Sequence, residues 1–157
     1  MEISNASFVY GSEPDDQGII YDRMLRDGQR INCYANDDNH HQSDFFHAYN
    51  VMYPKKLDYE SVFECLKNGM SYASTGAAIR GLFIDGNVVT IEVENARAVR
   101  FSTNARIGRL VLAKDRPITQ AGFELNNEFI KYFRVTVENF DGKKAWTRAY
   151  FIDELIG

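Results

Sequence analysis

The sequence predicts an α+β protein, with two helices and few strands in residues 1–72 and a small antiparallel β-sandwich in residues 73–157. Two observations support this prediction. Apolar residues recur at helical spacing twice in the first half, and short alternating runs separated by turn residues fill the second half. The chain has 157 residues, which is enough for one ordinary domain or for two small ones that share an interface.

The first half is predicted to begin with a short strand within MEISNASFVYG, followed by a loop. The stretch QGIIYDRMLRD then predicts a helix. It places Ile20 four residues before Met24, and Tyr21 four residues before Leu25, so that these side chains form one apolar stripe. Gly28 follows directly, at a position typical of a helix end.

The stretch DYESVFECLKNG predicts a second helix. Asp58 has the side chain of an N-cap residue, and Gly69 stands where a helix of this length would end. The spacing of Val62, Phe63 and Leu66 predicts that these three side chains form the buried face. Two strands are predicted before this helix, at residues 31–35 and within AYNVMYP.

The second half consists of alternating stretches. In NVVTIEVEN, apolar Val89, Ile91 and Val93 alternate with polar residues, which predicts a strand with one buried face. Further strands are predicted within AVRFSTN, GRLVLAK, AGFELN and KYFRVTVEN. Asp141-Gly142 lies between two such runs and predicts a hairpin turn. Strands at this spacing are typical of an antiparallel sandwich.

The strand at 31–35 runs into the sequence NDDNHH, which is rich in metal-ligating residue types. Asp38 and His40 are two residues apart, so on an extended strand end their side chains point the same way and could hold Zn, Mn or Fe. Asp37 and His41 point to the other side and are weaker candidates, in a supporting role at most. Spacing alone favours a solvated turn, because Asp and Asn are common in turns and two ligands do not make a site.

Other candidate residues are interpreted in structural terms. His47 could be a third metal ligand, but it is predicted to pack. Trp146 is predicted to lie in the core, and the Ser74–Gly76 stretch to form a strand corner rather than a phosphate cradle. The nucleotide-binding, lipase-type and zinc-protease motifs GxGxxG, GxxxxGK[ST], GxSxG and HExxH do not occur in the sequence. The two cysteines, Cys33 and Cys65, have no CxxC spacing and are expected to be reduced and buried.

Composition bears on partners and location. The net charge of −4 argues against a broad nucleic-acid interface, which needs a basic face. The sequence has no apolar run near the ~20 residues of a membrane helix, so no membrane partner is expected. The stretch MEISNASFVYG lacks the features of a signal peptide, and we therefore expect a cytoplasmic protein.

Several stretches, in this order, resemble one protein family. YDRMLRDGQRINCYANDDNHH resembles the late part of a PHP (polymerase and histidinol phosphatase) metal-dependent phosphoesterase, where a helix leads through a strand into an Asp-x-His metal motif. LDYESVFECLKNGMSYASTGAAI is similar to the helix and FYASTGP-like strand that follow in one PHP subgroup. The tail from AVRFSTN to KKAWTRAYFID resembles the β-rich extension of these proteins.

The resemblance implies a fold and a site. It implies that residues 1–72 are the end of an α/β barrel packed on the sandwich of residues 73–157. By the same resemblance Asp38 and His40 are ligands of a divalent metal (Mn, Zn or Fe), and Asp37 has a supporting or structural role. MEISN is similar to a barrel strand of the family, and Glu2 and Asn5 receive no catalytic role.

The sequence also departs from the family pattern. PHP proteins begin with a His-x-His motif and supply further ligands from the barrel, whereas here no histidine precedes His40. We therefore interpret the chain as a C-terminal fragment of a phosphoester hydrolase, inactive alone, whose catalytic residues and substrate-binding residues are not assigned. The alternative is a non-catalytic β-sandwich module for binding or structural support. A homo-oligomer formed through exposed barrel-facing surface is a further expectation.

Overall fold

A computed structural model describes residues 1–7, 16–126 and 128–155, and the chain divides into two compact units, Met1–Gly76 and Ala77–Gly157. Four strands and two α-helices lie in the described residues of the N-terminal unit. In chain order they are β1 (Glu2–Asn5), α1 (Gly18–Arg26), β2 (Tyr34–Asn36), β3 (Tyr49–Met52), α2 (Tyr59–Asn68) and β4 (Ser71–Ser74). A short 3-10 turn, Gln42–Asp44, precedes β3.

Strands β1 and β2 pair in parallel, and helix α1 lies between them in the sequence. The register places Glu2 opposite Tyr34 and Asn5 opposite Asn36. Parallel neighbours end at the same edge of a sheet. The residues that follow Asn5 and Asn36 are therefore brought together at this edge.

Helix α1 confirms the helix predicted from QGIIYDRMLRD. Of the predicted stripe, Tyr21 and Leu25 are buried, whereas Ile20 is exposed and Met24 is only partly covered. The hydroxyl of Tyr21 donates a hydrogen bond to the carbonyl of Ile31, 2.9 Å away, which fixes the helix to the segment leading into β2.

Helix α2 begins and ends where the sequence predicts. The Asp58 carboxylate accepts a hydrogen bond of 2.8 Å from the backbone N–H of Ser61, and Gly69 adopts the left-handed conformation, φ 64°, that ends many helices. The predicted buried face is wrong. Cys65 is the buried residue of this helix, while Phe63 is half exposed.

In the C-terminal unit, the part of the chain that the structure describes forms seven strands and a short helix. They are β5 (Ala78–Asp85), β6 (Val88–Thr103), β7 (Arg109–Leu112), β8 (Ile118–Glu124), β9 (Tyr132–Asn139), β10 (Lys144–Thr147), β11 (Tyr150–Phe151) and α3 (Ile152–Leu155). The hairpin predicted at Asp141-Gly142 is present, because β9 and β10 pair in antiparallel across it and Gly142 has a φ of 75°.

Strand β6 organises this unit. Its first half pairs with β5 and β8, and its second half pairs with β7 and β9, all in antiparallel. The register shifts near Ala96, next to Asn95, which has a φ of 46°. Asn tolerates this left-handed conformation better than most residues, so the strand bends here instead of ending. The two strands predicted from NVVTIEVEN and AVRFSTN are therefore one strand.

The predicted fold class is wrong in its architecture. Strands make up 44% of the structure and the described helices are three and short, so the protein is mostly β. No α/β barrel occurs in the described residues, because α2 connects β3 and β4, which pair in antiparallel. The predicted sandwich is also corrected. The strands described in the C-terminal unit all belong to one hydrogen-bonded sheet, because β6 pairs with β5, β7, β8 and β9, and β9 pairs with β10 and β11.

Candidate functional site

Polar side chains gather where β1 and β2 end. Oδ2 of Asp38 lies 2.9 Å from the hydroxyl of Ser7 and accepts a 3.4 Å hydrogen bond from the amide of Asn5. The Asn5 amide also donates to Glu2 at 3.1 Å. The Asn36 amide donates to the other oxygen of Glu2 at 2.8 Å. We call these five residues, Glu2, Asn5, Ser7, Asn36 and Asp38, the strand-end cluster.

The strand-end cluster contains two carboxylates, those of Glu2 and Asp38, which are linked by hydrogen bonds from the amide of Asn5. Asn5 is buried and its amide lies between Glu2 and Asp38, so that it donates to both acids. Ser7 has a single hydroxyl hydrogen, and its oxygen lies near both Asp38 and the side-chain oxygen of Asn5, 2.7 Å away. The cluster therefore holds one face of Asp38 in place while the residue stays exposed.

Sequence reasoning missed most of this cluster. It assigned Asp38 but gave Glu2 and Asn5 no role and did not single out Ser7 or Asn36. The available signal was the polar residue at the end of each of two strands, which becomes informative only when the strands are known to be parallel neighbours.

The other predicted ligand, His40, has different contacts. Its backbone N–H donates to Oδ2 of Asp44 at 2.9 Å, and the residue is exposed. No hydrogen bond or ion pair in the described part of the chain joins His40 to Asp38. Nor does any group of three His, Cys, Asp or Glu residues that could hold a metal ion occur among the described residues. The strand ends at Asn36 and Asp38 has a φ of 53°, so residues 38–40 do not have the extended conformation from which the pairing was predicted. The metal-ligand role of the pair stays a prediction.

Asp37 and His41, the two weaker candidates, are engaged within the loop. Oδ1 of Asp37 accepts hydrogen bonds of 2.7 Å from the backbone N–H groups of His47 and Ala48, and Oδ2 accepts one of 2.7 Å from Phe46. His41 contacts Asp44 through its backbone: its N–H donates to Oδ2 of Asp44 at 2.7 Å, and its carbonyl accepts from the backbone N–H of Asp44 at 3.1 Å. The Asp37 carboxylate therefore fixes the loop between β2 and β3.

The remaining candidates have local partners. The hydroxyl of buried Ser74 accepts a 2.8 Å hydrogen bond from the backbone N–H of Gly76, as expected for a strand corner. Nε2 of His47 lies 2.8 Å from the carbonyl oxygen of Ser43. Trp146 is buried, which confirms its predicted place in the core, and the two cysteines are free and buried as predicted.

An apolar depression lies on helix α2 and the residues before it. It has a volume of about 430 Å³ and is lined by Leu57, Asp58, Tyr59, Val62, Phe63 and Leu66. Leu57 is 95% exposed. The homo-oligomer expected from the sequence would need exposed apolar surface, and this depression is such a surface.

The carboxyl group of Asp44 has a pKa below its ordinary value of 3.8. The cause is the pair of hydrogen bonds that it accepts from the backbone N–H groups of His40 and His41, because these bonds favour the charged form. A lowered pKa means that the contribution of Asp44 to loop stability is complete above pH 3.8 and is lost as the pH falls through the lower folded-state value.

We therefore expect the amide resonances of His40 and His41 to shift in one acid titration step with a midpoint below pH 3.8. The measurement is a pH series of proton–nitrogen correlation spectra. The D44N variant should lack this step and retain any step that arises from the imidazole rings. A midpoint at or above 3.8 in the unsubstituted protein would contradict the assigned hydrogen bonds.

Comparison of the chain with family models, with curated proteins and with solved structures found no match. In the described residues, no helix is long and apolar enough to cross a membrane.

Proposed function

We propose that this chain is the C-terminal part of a PHP-like metal-dependent phosphoesterase, in which Asp38 and His40 supply ligands to a divalent cation. One structural observation carries the proposal. The exposed carboxylate of Asp38 lies just beyond the carboxyl ends of the parallel strands β1 and β2, and residues of β1 hold it there. Ligands of α/β proteins bind beyond the carboxyl ends of parallel strands. The order of the three family-like stretches in the sequence supports the same interpretation.

The side chains present fit a divalent cation in their chemistry. A carboxylate and an imidazole are common ligands of Zn, Mn and Fe. The hydrogen bonds described for Asp38 all involve Oδ2, so Oδ1 is available to a cation. Two protein ligands are fewer than such ions require, and the remaining ligands would come from groups outside the described residues.

The residues around Asp38 would orient it. Asn5 and Ser7 fix the carboxylate, as residues that hydrogen-bond to metal ligands commonly do. Glu2 adds a second negative charge to the strand-end cluster, which favours a cation at this edge. A bound divalent ion would supply Lewis acidity toward a phosphoester and a water of lowered pKa. With an incomplete ligand set, we expect little phosphoester hydrolysis by this chain alone.

The proposal is tested by isothermal titration of the 157-residue chain with Mn²⁺ and with Zn²⁺. We expect one site, and we expect the affinity to fall at least about tenfold in D38A and in H40A, because each variant lacks one ligand of an already small set. The matched control is D141N, which removes a carboxylate from the exposed β9–β10 turn and should leave the affinity unchanged.

Each outcome of the titration decides between two functions. Loss of binding in D38A and H40A but not in D141N supports the metal site. Equal affinity in all four proteins would show that the cations bind elsewhere on the surface. No binding by the unsubstituted chain would favour the non-catalytic β-rich module instead.

A further inference from the structure

Strand β7 lies at an edge of the C-terminal sheet. Among the described residues, β6 is its one strand partner. Ala113, which directly follows β7, donates its backbone N–H to the carbonyl of Arg97 in β6 at 2.8 Å. Alternate residues of a strand direct their backbone groups to opposite sides, so those of Leu110 and Leu112 point away from β6. No hydrogen bond at the N–H groups of these two leucines occurs in the described part of the chain.

The side chains of the same two leucines are exposed. Leu110 is 45% exposed and Leu112 is 59% exposed. Leu110 lies opposite Arg100 of β6, so these two side chains share a face of the sheet, and Arg100 is exposed as well. Open backbone groups beside exposed leucines fit an extended chain. Its backbone would form hydrogen bonds with β7, and every second side chain would cover the leucines.

The segment that contains β7 is strongly basic. Residues 96–117 include five arginines and one lysine but a single acidic residue, Asp115, whereas the whole chain has a net charge of −4. Arg97 forms an ion pair with Glu138, and no ion pair of the other five cations occurs in the described residues. The six cations are all exposed and are Arg97, Arg100, Arg106, Arg109, Lys114 and Arg116. We call β7 together with these six residues the basic edge.

We propose that the basic edge binds an acidic, extended peptide segment of a partner protein, which adds to the sheet as a strand beside β7. The open backbone groups select an extended chain, and the uncompensated cations select a negatively charged one. A segment with alternating acidic and apolar residues fits best. Its apolar side chains would cover Leu110 and Leu112, and its carboxylates would lie on the opposite face, which carries Arg109.

Other occupants fit the basic edge less well. Pairing with β7 of a second copy would bring like charges together, which is a common way in which exposed strands avoid self-association. A single-stranded nucleic acid would require aromatic side chains on which its bases could stack. The one aromatic residue in residues 96–117 is Phe101, which is buried. The basic edge lies in the C-terminal unit, and its inferred role does not depend on the candidate cation site.

The test measures the fluorescence anisotropy of a labelled peptide of about eight residues, in which glutamate and valine alternate, titrated with the whole chain. We expect the affinity to fall about 10-fold or more in the double variant R106E/K114E, because attraction at both ends of β7 becomes repulsion. The matched control is K55E/K56E. It makes the same change in charge at two exposed lysines of the N-terminal unit and should keep the affinity.

A second pair of measurements tests the backbone contacts. L112P removes the outward N–H of Leu112, and proline is tolerated at the edge of a sheet, so the affinity should fall about 3- to 10-fold while the circular dichroism spectrum is unchanged. The same point is tested on the unsubstituted protein with a peptide whose alternate backbone nitrogens are methylated. This peptide keeps every carboxylate but cannot add as a strand, and it should not bind.

Three outcomes would overturn the inference. Equal affinity for the methylated and unmethylated peptides would show attraction between charges without strand addition. Tighter binding of a single-stranded DNA oligonucleotide than of the peptide, unchanged in L112P, would assign the basic edge to nucleic acid. Absence of peptide binding by the unsubstituted chain, together with self-association of R106E/K114E in light scattering, would show that the cations only prevent the pairing of exposed strands.

Discussion

Replacement of Asp37 by alanine is expected to destabilise the protein by about 3 kcal/mol and to open the loop between β2 and β3. The carboxylate is the common acceptor for three consecutive backbone N–H groups, those of Phe46, His47 and Ala48. Hydrogen bonds to a charged acceptor contribute more than neutral ones, and the substitution removes this acceptor from all three backbone donors at once. Two of the three bonds are partly buried, so water replaces them incompletely.

Urea unfolding monitored by circular dichroism measures the loss of unfolding free energy in D37A. Hydrogen exchange at residues 46–48 shows whether the loop has opened. D37N should lose about 1–2 kcal/mol of unfolding free energy, which is less than D37A loses. Its single amide oxygen can accept from the donors now bound to Oδ1, but its amide nitrogen cannot accept from the donor bound to Oδ2. D38N is the matched control, as it removes the neighbouring exposed charge without removing a backbone acceptor.

A loss of less than about 0.5 kcal/mol in D37A would be within the range of an ordinary surface substitution. It would contradict the role of Asp37 as the residue that holds the loop.

The features that the sequence predicted correctly are local ones. The cap at Asp58, the helix end at Gly69 and the hairpin at Asp141-Gly142 are each determined by residues within a few positions of one another. The start of β9 near Tyr132 was predicted equally well from alternation alone. Such signals can be found without knowing which segments become neighbours.

The architecture was not predictable in the same way. The bend of β6 at Asn95 joins two runs that each look like a complete strand, and it depends on partners found along both edges. The buried face of α2 was wrong for a related reason. Its periodicity shows which side chains share a face, but only tertiary packing decides that Cys65 is covered while Phe63 is exposed.

The strand-end cluster contains one residue that the sequence singled out, Asp38, and four that it did not. Asp38 was singled out because its residue type and its position after a strand are both visible in the sequence. Its partners Ser7 and Asn5 are 31 and 33 positions away, and only the parallel pairing of β1 with β2 brings them close. The loop role of Asp37 was likewise hidden, because its three donors lie between 9 and 11 positions further along the chain.

Replacement of Phe101 by alanine is expected to destabilise the protein by about 3–5 kcal/mol, the range typical for truncation of a fully buried phenylalanine. Phe101 is 1% exposed, in the second half of β6, and lies between partners on β7 and β9. Its ring stacks on that of Phe123 in β8, with centroids 5.4 Å apart, so the substitution removes a ring contact as well as buried area.

Trp146 provides the measurement, because it is the single tryptophan of the chain and is buried in the same unit. Its fluorescence in a denaturant titration should show F101A unfolding at a much lower denaturant concentration, and F101L at an intermediate one. F83A is the control, since Phe83 lies on β5 beside the same long strand but is 55% exposed, and its loss should stay below about 1 kcal/mol. Equal losses of unfolding free energy in F101A and F83A would contradict the assignment of β6 as the centre of this unit. The buried side chain on β6 would then contribute no more to stability than the exposed one on β5.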